Sequence, residues 1–247
     1  MNILRHTKTF LLRVARSLGC DVSRTTAFGK NPFVDIGQLA TAVSRLGFDV
    51  GANEGQTACE LRRIFPGAKI YCFEPYEAAF RTLQQKLGGD PNICLELIAF
   101  GDRKGEATLY ENAESVTNSL LPNAPEADLS QPASYAIPKG QSTVSVTTLD
   151  DFCDERTIAH LDFLKIDSQG YDLRILQGAR KNLAERRISF IVVEMLFAPL
   201  YSGQAHFHEI YGFLTGFGYQ LVGLYAIQRS PAGAILWCDA LFRCEPA

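Results

Sequence analysis

The sequence predicts an α/β fold: a doubly wound, mostly parallel sheet with ligands at the carboxyl ends of its strands. Three observations carry this. Short apolar runs alternate with helix-length amphipathic stretches from about residue 46 to residue 242, as in chains of βαβ units. A turn with Gly51 and Gly55 joins the first apolar run directly to a helical stretch. Five acids, Asp49, Glu74, Asp102, Asp167 and Glu194, fall at the ends of predicted strands, the edge on which open α/β sheets bind ligands.

In chain order, Gly29 to Pro32 punctuates the start and Ile36 to Leu46 reads as a helix leading into strand one. Leu46, Phe48 and Val50 form that strand, and Thr57 to Phe65 the helix after it. Lys69–Glu74 is the second strand, and its helix runs from about Tyr76 to Leu87, stopped by Gly88 and Gly89. Ile93–Phe100 is the third strand, stopping at Gly101 and Asp102. Residues 103–148 break the alternation. Glu106–Tyr110 and Ser142–Thr148 alternate as strands do, while 112–140 hold four prolines and many small polar residues. A segment of that length is seldom idle in a compact domain; it reads as a lid or acceptor-binding insert, or as a disordered excursion. The pattern then resumes with strand Leu161–Asp167, helix Tyr171–Leu183, strand Ile188–Glu194 and helix Phe207–Phe217. Tyr219–Tyr225 and Ile235–Phe242 form an antiparallel closing hairpin. The expected organisation is an N-terminal helical extension, residues 1–45, and one domain, 46–247, carrying the insert.

At 247 residues, 47% of them hydrophobic, the chain can bury a sizeable core. A net charge of −3 gives no general attraction to nucleic acid or to an anionic membrane. The seven cysteines (20, 59, 72, 94, 153, 238, 244) are odd in number and contain no C-x-x-C pair. They read as reduced, largely buried thiols in a reducing, cytoplasmic compartment, and their spacing does not suit zinc. No stretch reaches the ~20 apolar residues of a transmembrane helix. Phe10, Leu11, Val14 and Leu18 recur at helical spacing among Arg5, Lys8, Arg13 and Arg16. Arg13 interrupts the apolar run and no small-residue cleavage pattern follows, which argues against a signal peptide. Residues 1–20 therefore read as a capping helix with a solvated basic face or, second, as a helix making weak contact with a membrane surface.

Strand, glycine turn, helix is how an α/β sheet presents backbone N–H groups to a nucleotide-like cofactor. Glu74 closes the next strand 19 residues past Gly55, near the interval at which a carboxylate meets ribose hydroxyls. The dinucleotide fingerprint G-x-G-x-x-G is absent, because Asn53 replaces the middle glycine. Asp49, just before Gly51, would repel a pyrophosphate and attract an ammonium. S-adenosylmethionine has a ribose, an α-amino group and no phosphate, so Asp49 near the methionine part and Glu74 on the ribose would suit it.

These residues also carry a family resemblance. Asp49-Val50-Gly51-Ala52-Asn53-Glu54-Gly55, then Phe73-Glu74-Pro75, then Ala99-Phe100-Gly101-Asp102 resemble the blocks of the FkbM-type methyltransferases. Leu149-Asp150 and Leu164-Lys165-Ile166-Asp167-Ser168-Gln169-Gly170 resemble its later blocks. The resemblance runs from about Phe48 to Phe242. It implies a seven-stranded, Rossmann-like, S-adenosylmethionine-dependent fold and O-methylation of a sugar or secondary-metabolite hydroxyl. It also implies a place for Asp102 at the adenine edge. One position departs: the family has glutamate where this chain has Gln169.

Gly51, Asn53 and Gly55 are expected to hold the methionine end beside Asp49. An alcohol acceptor must lose its proton, so a base is expected near the methyl group. Asp167 is the first candidate, as base or as orienter of the acceptor; its alternative is to cap the following helix. Glu194 closes a strand too apolar for an idle charge. His206 and His208 lie just before a helix and suit a general base by pKa, although two residues apart they cannot share a helix face. Asp172 reads as a first-turn acid favoured by the helix dipole, Lys165 as the partner of an acid, and His6 and His160 as structural. Tyr201, Phe207, Tyr211 and Phe213 either stack on a sugar or form helix core. A Mg²⁺ held by Asp167, Glu194 and Asp172 is a metal-dependent alternative; the preferred reading has no metal. The expectation is an S-adenosylmethionine-dependent O-methyltransferase acting on a sugar hydroxyl of a polysaccharide, glycolipid or glycosylated metabolite. A nicotinamide-dependent oxidoreductase is the rival, but the only Tyr-x-x-x-Lys spacing considered, Tyr135 to Lys139, falls in a loop. A non-catalytic cofactor-binding scaffold is the third class.

Overall fold

The computed structural model describes residues 27–40, 43, 45–125 and 137–244. The basic helix expected within residues 1–20, and Tyr135, lie outside the described residues. Ten strands form two sheets. The main sheet has the order β3-β2-β1-β7-β8-β10-β9, and a small one has the order β4-β6-β5. In chain order the strands are β1 Leu46–Val50, β2 Lys69–Phe73, β3 Ile93–Glu96, β4 Ala99–Phe100, β5 Gly105–Asn112, β6 Pro138–Thr147, β7 Leu161–Ile166, β8 Ile188–Leu196, β9 Tyr219–Arg229 and β10 Ile235–Cys244. Strands β3, β2, β1, β7 and β8 are parallel. Strand β10 runs antiparallel between β8 and β9. The strand order reverses between β1 and β7, so the loops leaving these two strands diverge and open a crevice at the sheet edge.

The described helices are α1 Pro32–Leu39, α2 Gln56–Ile64, α3 Glu77–Leu87, α4 Leu149–Glu155, α5 Asp172–Gln177, α6 Arg180–Ala184 and α7 Phe207–Gly216. Strand alternation sorts the core into two layers. Phe48, Phe73, Leu164 and Val193 pack with Phe152, Ile175, Leu183 and Leu214 on one face. Ile70, Phe163, Val192 and Leu241 pack with Phe33, Ile36, Ala58 and Leu61 on the other.

Four elements differ from the sequence expectation. The helix expected at Ile36–Leu46 instead starts at Pro32, where proline suits the first position, and Asn31 caps it by accepting from Phe33 N (2.9 Å) and Val34 N (3.1 Å). It ends at Leu39, with Ala40 already extended (φ −65, ψ 131), and further on the Arg45 and Leu46 N–H groups donate to Asp162 Oδ2 (2.8 and 2.9 Å). The strand expected at Ile93–Phe100 divides: β3 stays in the main sheet while Ala99 and Phe100 pair with Val146 and Thr147 of β6. The helix expected over Tyr171–Leu183 breaks at Gly178, where any Cβ would lie 2.0 Å from the Gly101 carbonyl oxygen, and Asp150 caps the second half through Lys181 N and Asn182 N. Strand β8 continues two residues past Glu194. The 103–148 segment is largely built structure: β5 and β6 form an antiparallel ladder from Gly105↔Val146 to Asn112↔Pro138.

Helix α1 is tied to the sheet by one buried polar contact. Tyr225 on β9 donates its hydroxyl to Asp35 Oδ2 (2.7 Å), which also accepts from Gly29 N (2.7 Å). Tyr225→Phe removes a donor from a fully buried carboxylate and should cost about 1.5–3 kcal/mol, read as a lower urea midpoint with an unchanged m-value.

Candidate active site

The crevice begins at the turn after β1. Gly51 has φ +75, and a Cβ there would lie 1.9 Å from the carbonyl oxygen of Asp167. Both the backbone angle and the close approach of β7 therefore require glycine. The Gly51 and Ala52 N–H groups donate to Phe73 O (3.0 Å each). Asn53 adopts φ +45, accepts from Glu54 N (2.8 Å) and donates to Ser115 Oγ (3.2 Å). Gly55 (φ +91) precedes α2 without a side-chain cap, which leaves the first N–H groups of that helix facing the crevice rather than a neighbouring side chain.

Glu74 follows β2 and is 6% exposed. One oxygen accepts from Asn53 N and the other from Tyr76 N, each at 2.8 Å. Burial pushes its carboxyl up to about 7, against the pull of these two N–H donors.

Asp49 does not border the crevice. It is one residue short of the end of β1, fully buried, and opposite Lys165 in the β1–β7 register. Lys165 Nζ lies 3.0 Å from Asp49 Oδ1, donates to Gly51 O (3.0 Å) and is 3.7 Å from Asp167 Oδ2. The contact with Asp49 is ionic rather than directed, for neither carboxylate oxygen has an aligned donor among the described residues. Where the sequence pointed to a ligand's ammonium, the structure shows Asp49 turned inward by strand parity, with the Lys165 ammonium beside it. Burial alone would lower the Lys165 pKa, but Asp49 and then Asp167 outweigh it and hold the ammonium charged.

The turn after β7 gathers the remaining groups. The Asp167 side chain is 37% exposed. Gln169 takes φ +53, and its amide nitrogen donates to Asp167 Oδ1 (2.8 Å) and to Glu194 Oε2 (3.2 Å). Its amide oxygen accepts from the Tyr201 hydroxyl (2.7 Å), and its backbone oxygen from the Ser119 hydroxyl (2.7 Å). The amide that stands in place of the family glutamate thus bridges two carboxylates. Asp172 clamps this turn, accepting from Ser168 N and Gly170 N (3.0 Å each); burial pushes it up to about 7. Glu194 is buried in β8, and burial followed by the charge of Asp167 raises its pKa well above that of a free glutamate.

Three cavities meet here. The first, about 300 Å³, is bounded by Gly51, Asn53, Glu74, Phe100, Ser119 and Asp167 among others. The second, about 260 Å³, is lined by Lys30, Glu60, Lys165, Asp167, Tyr225 and Asp239 among others. The third, about 170 Å³, holds Thr117, Asp167, Gln169, Glu194, Leu200 and Trp237. Asp167 borders all three.

The other expected residues lie elsewhere. Asp102 is exposed, beyond β4 on the small sheet, and does not border the first cavity, whose wall there is Ile98, Ala99 and Phe100. His206 and His208 are exposed, their rings stack on each other at 5.7 Å, and the His206 N–H donates to Glu209 Oε2 (2.7 Å). They begin α7 and border none of the three cavities. Phe207 stacks on Phe197 and Phe213 packs on Phe217, as core aromatics do. Sequence reasoning missed the wall from Ser115 to Leu120, the clamp by Asp172, and Trp237. Among the described residues no group of three or more His, Cys, Asp or Glu side chains is placed to hold a metal.

Lys165→Met should strand a buried carboxylate and destabilise the fold by about 3–5 kcal/mol. Adding Asp49→Asn should restore most of that loss, and denaturant unfolding of the two variants measures the difference.

Comparison with known proteins fits this edge of the sheet. A 2-O-methyltransferase, NoeI of Sinorhizobium fredii, is 29% identical over 180 residues, covering 68% of this chain and 70% of that protein. Methyltransferase 1 of Beauveria bassiana is 29% identical over 148 residues, covering 53% and 56%. Among solved structures, the METTL16 methyltransferase domain aligns with a TM-score of 0.49 at 12% identity, covering 86% of this chain and 64% of that one. The family model described as the methyltransferase FkbM domain matches residues 49–221. That span takes in the Gly51–Gly55 turn, Glu74, the Asp167–Asp172 turn and Glu194, and the chain belongs to the FkbM methyltransferase family.

Proposed function

We propose that the protein is an S-adenosylmethionine-dependent O-methyltransferase whose acceptor is a hydroxyl of a sugar, free or within a polysaccharide, glycolipid or glycosylated metabolite. The observation that carries the cofactor assignment is the make-up of the first cavity. It joins an apolar wall of Phe73, Ile98, Phe100 and Leu109 to a buried carboxylate, Glu74, which follows β2 and holds Asn53 of the turn after β1. An adenosyl group needs that pairing: a slot for the base and an acceptor for the ribose hydroxyls. Each Glu74 oxygen uses one lone pair on a backbone N–H and keeps another for a ligand. The only cation bordering the cavity, among the described residues, is Lys165, already engaged by Asp49. That disfavours a pyrophosphate and suits a ligand without one.

Glu74 would hold the ribose, with Asn53 and the open start of α2 around the methionine end. S-adenosylmethionine supplies an electrophilic methyl group, so the chain must orient the acceptor hydroxyl and take up its proton. Asp167 is placed for both, being half-exposed where the three cavities meet. Gln169 fixes Asp167 Oδ1, Oδ2 lies 3.7 Å from the Lys165 ammonium, and Glu194 shares the Gln169 amide. Positioning provides much of the rate in such a transfer. The 2-O-methyltransferase relative supports oxygen as the methylated atom.

Titration calorimetry with S-adenosylmethionine, S-adenosylhomocysteine and NAD⁺ tests the reading. The two adenosyl ligands should bind and NAD⁺ should not; binding of NAD⁺ alone would overturn it. Glu74→Ala should weaken S-adenosylhomocysteine at least tenfold. Because Glu74 titrates near 7 and only its ionised form accepts two further hydrogen bonds, affinity should be higher at pH 8 than at pH 6, by about tenfold. In Glu74→Gln this pH dependence should flatten.

A further inference from the structure

We propose that the smallest cavity is the acceptor subsite and that Trp237 is the platform on which the acceptor's sugar ring stacks. This rests on the methyltransferase reading above and specifies its second substrate. Two cavities besides that assigned to the cofactor reach Asp167, and they differ in what they offer a ligand.

A pyranose presents an apolar C–H face and a rim of hydroxyls. A site that selects it combines an aromatic plane with planar hydrogen-bonding groups at the plane's edge. The 170 Å³ cavity has both: the Trp237 indole beside the Glu194 carboxylate, the Gln169 amide and Asp167. The indole is half-buried, packed against the small cluster of Leu121, Leu196, Leu200 and Tyr201, and so held in place. Among the described residues its N–H has no hydrogen-bond partner, which leaves a donor at the ring's edge. The backbone accommodates it by an irregularity. Strands β9 and β10 shift register on both sides of Trp237, between Ile235 and Trp237 and again between Trp237 and Asp239. Bulges of this kind re-aim a side chain next to a site. The ladder pairs regularly from Asp239 to Leu241 and shifts once more between Leu241 and Phe242, so two of its three shifts flank Trp237.

The 260 Å³ cavity offers no such plane. Its aromatic side chain from the sheet, Tyr225, is 3% exposed with its hydroxyl committed to Asp35. Its second aromatic, Phe33, is 6% exposed and packed into the core, and its charged groups are of both signs: Lys30 and Lys165 with Glu60, Asp167 and Asp239.

The charge of the Trp237 cavity narrows the substrate further. Among the described residues that line it the ionisable ones are Asp167 and Glu194, and none is cationic. A neutral sugar fits, whereas one bearing a carboxylate or phosphate on the ring would meet repulsion.

Trp237 is the only tryptophan in the chain, so indole emission reports on this cavity alone. The test uses the full chain saturated with S-adenosylhomocysteine and titrated with methyl glycosides of glucose, galactose, mannose and their 6-deoxy forms, and with methyl glucuronide. The expected result is a saturable change in emission with at least one neutral glycoside and a response at least tenfold weaker with the glucuronide. Binding of the same glycoside, followed by saturation-transfer NMR, should fall at least tenfold in Trp237→Ala and less in Trp237→Phe. Unchanged S-adenosylhomocysteine affinity shows that both variants are folded. The proposal is overturned if no neutral glycoside binds to the loaded protein. It is also overturned if one binds equally well to Trp237→Ala, or if its binding is lost in Asp239→Asn and kept in Trp237→Ala. If S-adenosylhomocysteine itself fails to bind the wild-type chain, the cofactor reading has failed instead, and the two failures are thereby told apart.

Discussion

The ligand edge of the sheet depends on the charge of Lys165. Its ammonium lies between Asp49 and Asp167 and donates to the carbonyl of Gly51, so one side chain links the core of β1, the glycine turn and the start of the turn after β7. As an energy term the buried pair is ambiguous, because removing two charges from water costs nearly as much as their attraction returns. Its value is positional. Asp49 and Lys165 face each other only in the observed β1–β7 register, and a slip of one residue would send them to opposite faces of the sheet.

Around this one cation stands an excess of carboxylates. Asp172, Glu194 and Asp239 all have pKa values raised, in each case first by burial and then by the charge of Asp167 or its neighbours. Asp167 is the accessible member of the set. The buried acids surround it with groups that resist a further negative charge, while the Gln169 amide gives two of them a shared donor. Neutral hydrogen-bond donors and raised pKa values here do the work of counter-charges, and the turn stays compact because Asp172 fastens it from beneath.

Much of this was legible in the sequence because it is local. The glycine turn, Glu74 and the alternation of strands and helices depend on neighbours a few residues away, and the strand count followed from the order of blocks. The expected site residues that the structure places away from the crevice share a different cause. Asp49 was assigned to the ligand because it precedes the turn, but being one residue from the strand end decides by parity which face it takes. Asp102 lies two residues past a strand that leaves the main sheet for β6, a pairing across about forty-five residues that no local pattern reveals. His206 and His208 had suitable chemistry, yet the start of α7 sets them in solvent. Trp237 and the Ser115–Leu120 wall reach the site only through tertiary contacts. A helix was also missed at Leu149–Glu155 although its signal was present, Thr148 followed three residues later by Asp151, whose N–H donates to the threonine hydroxyl (3.0 Å).

The wall from Ser115 to Leu120 touches both halves of the crevice. Ser115 receives the Asn53 amide at the turn after β1, and Ser119 donates to the backbone of Gln169 at the turn after β7. The segment sits inside the excursion between β5 and β6, the part of the chain furthest from the regular βαβ pattern and the one in which insertions cost the sheet least. A change of length or sequence there therefore bears on both turns at once, because the same short wall is fastened at one end to Asn53 and at the other to Gln169.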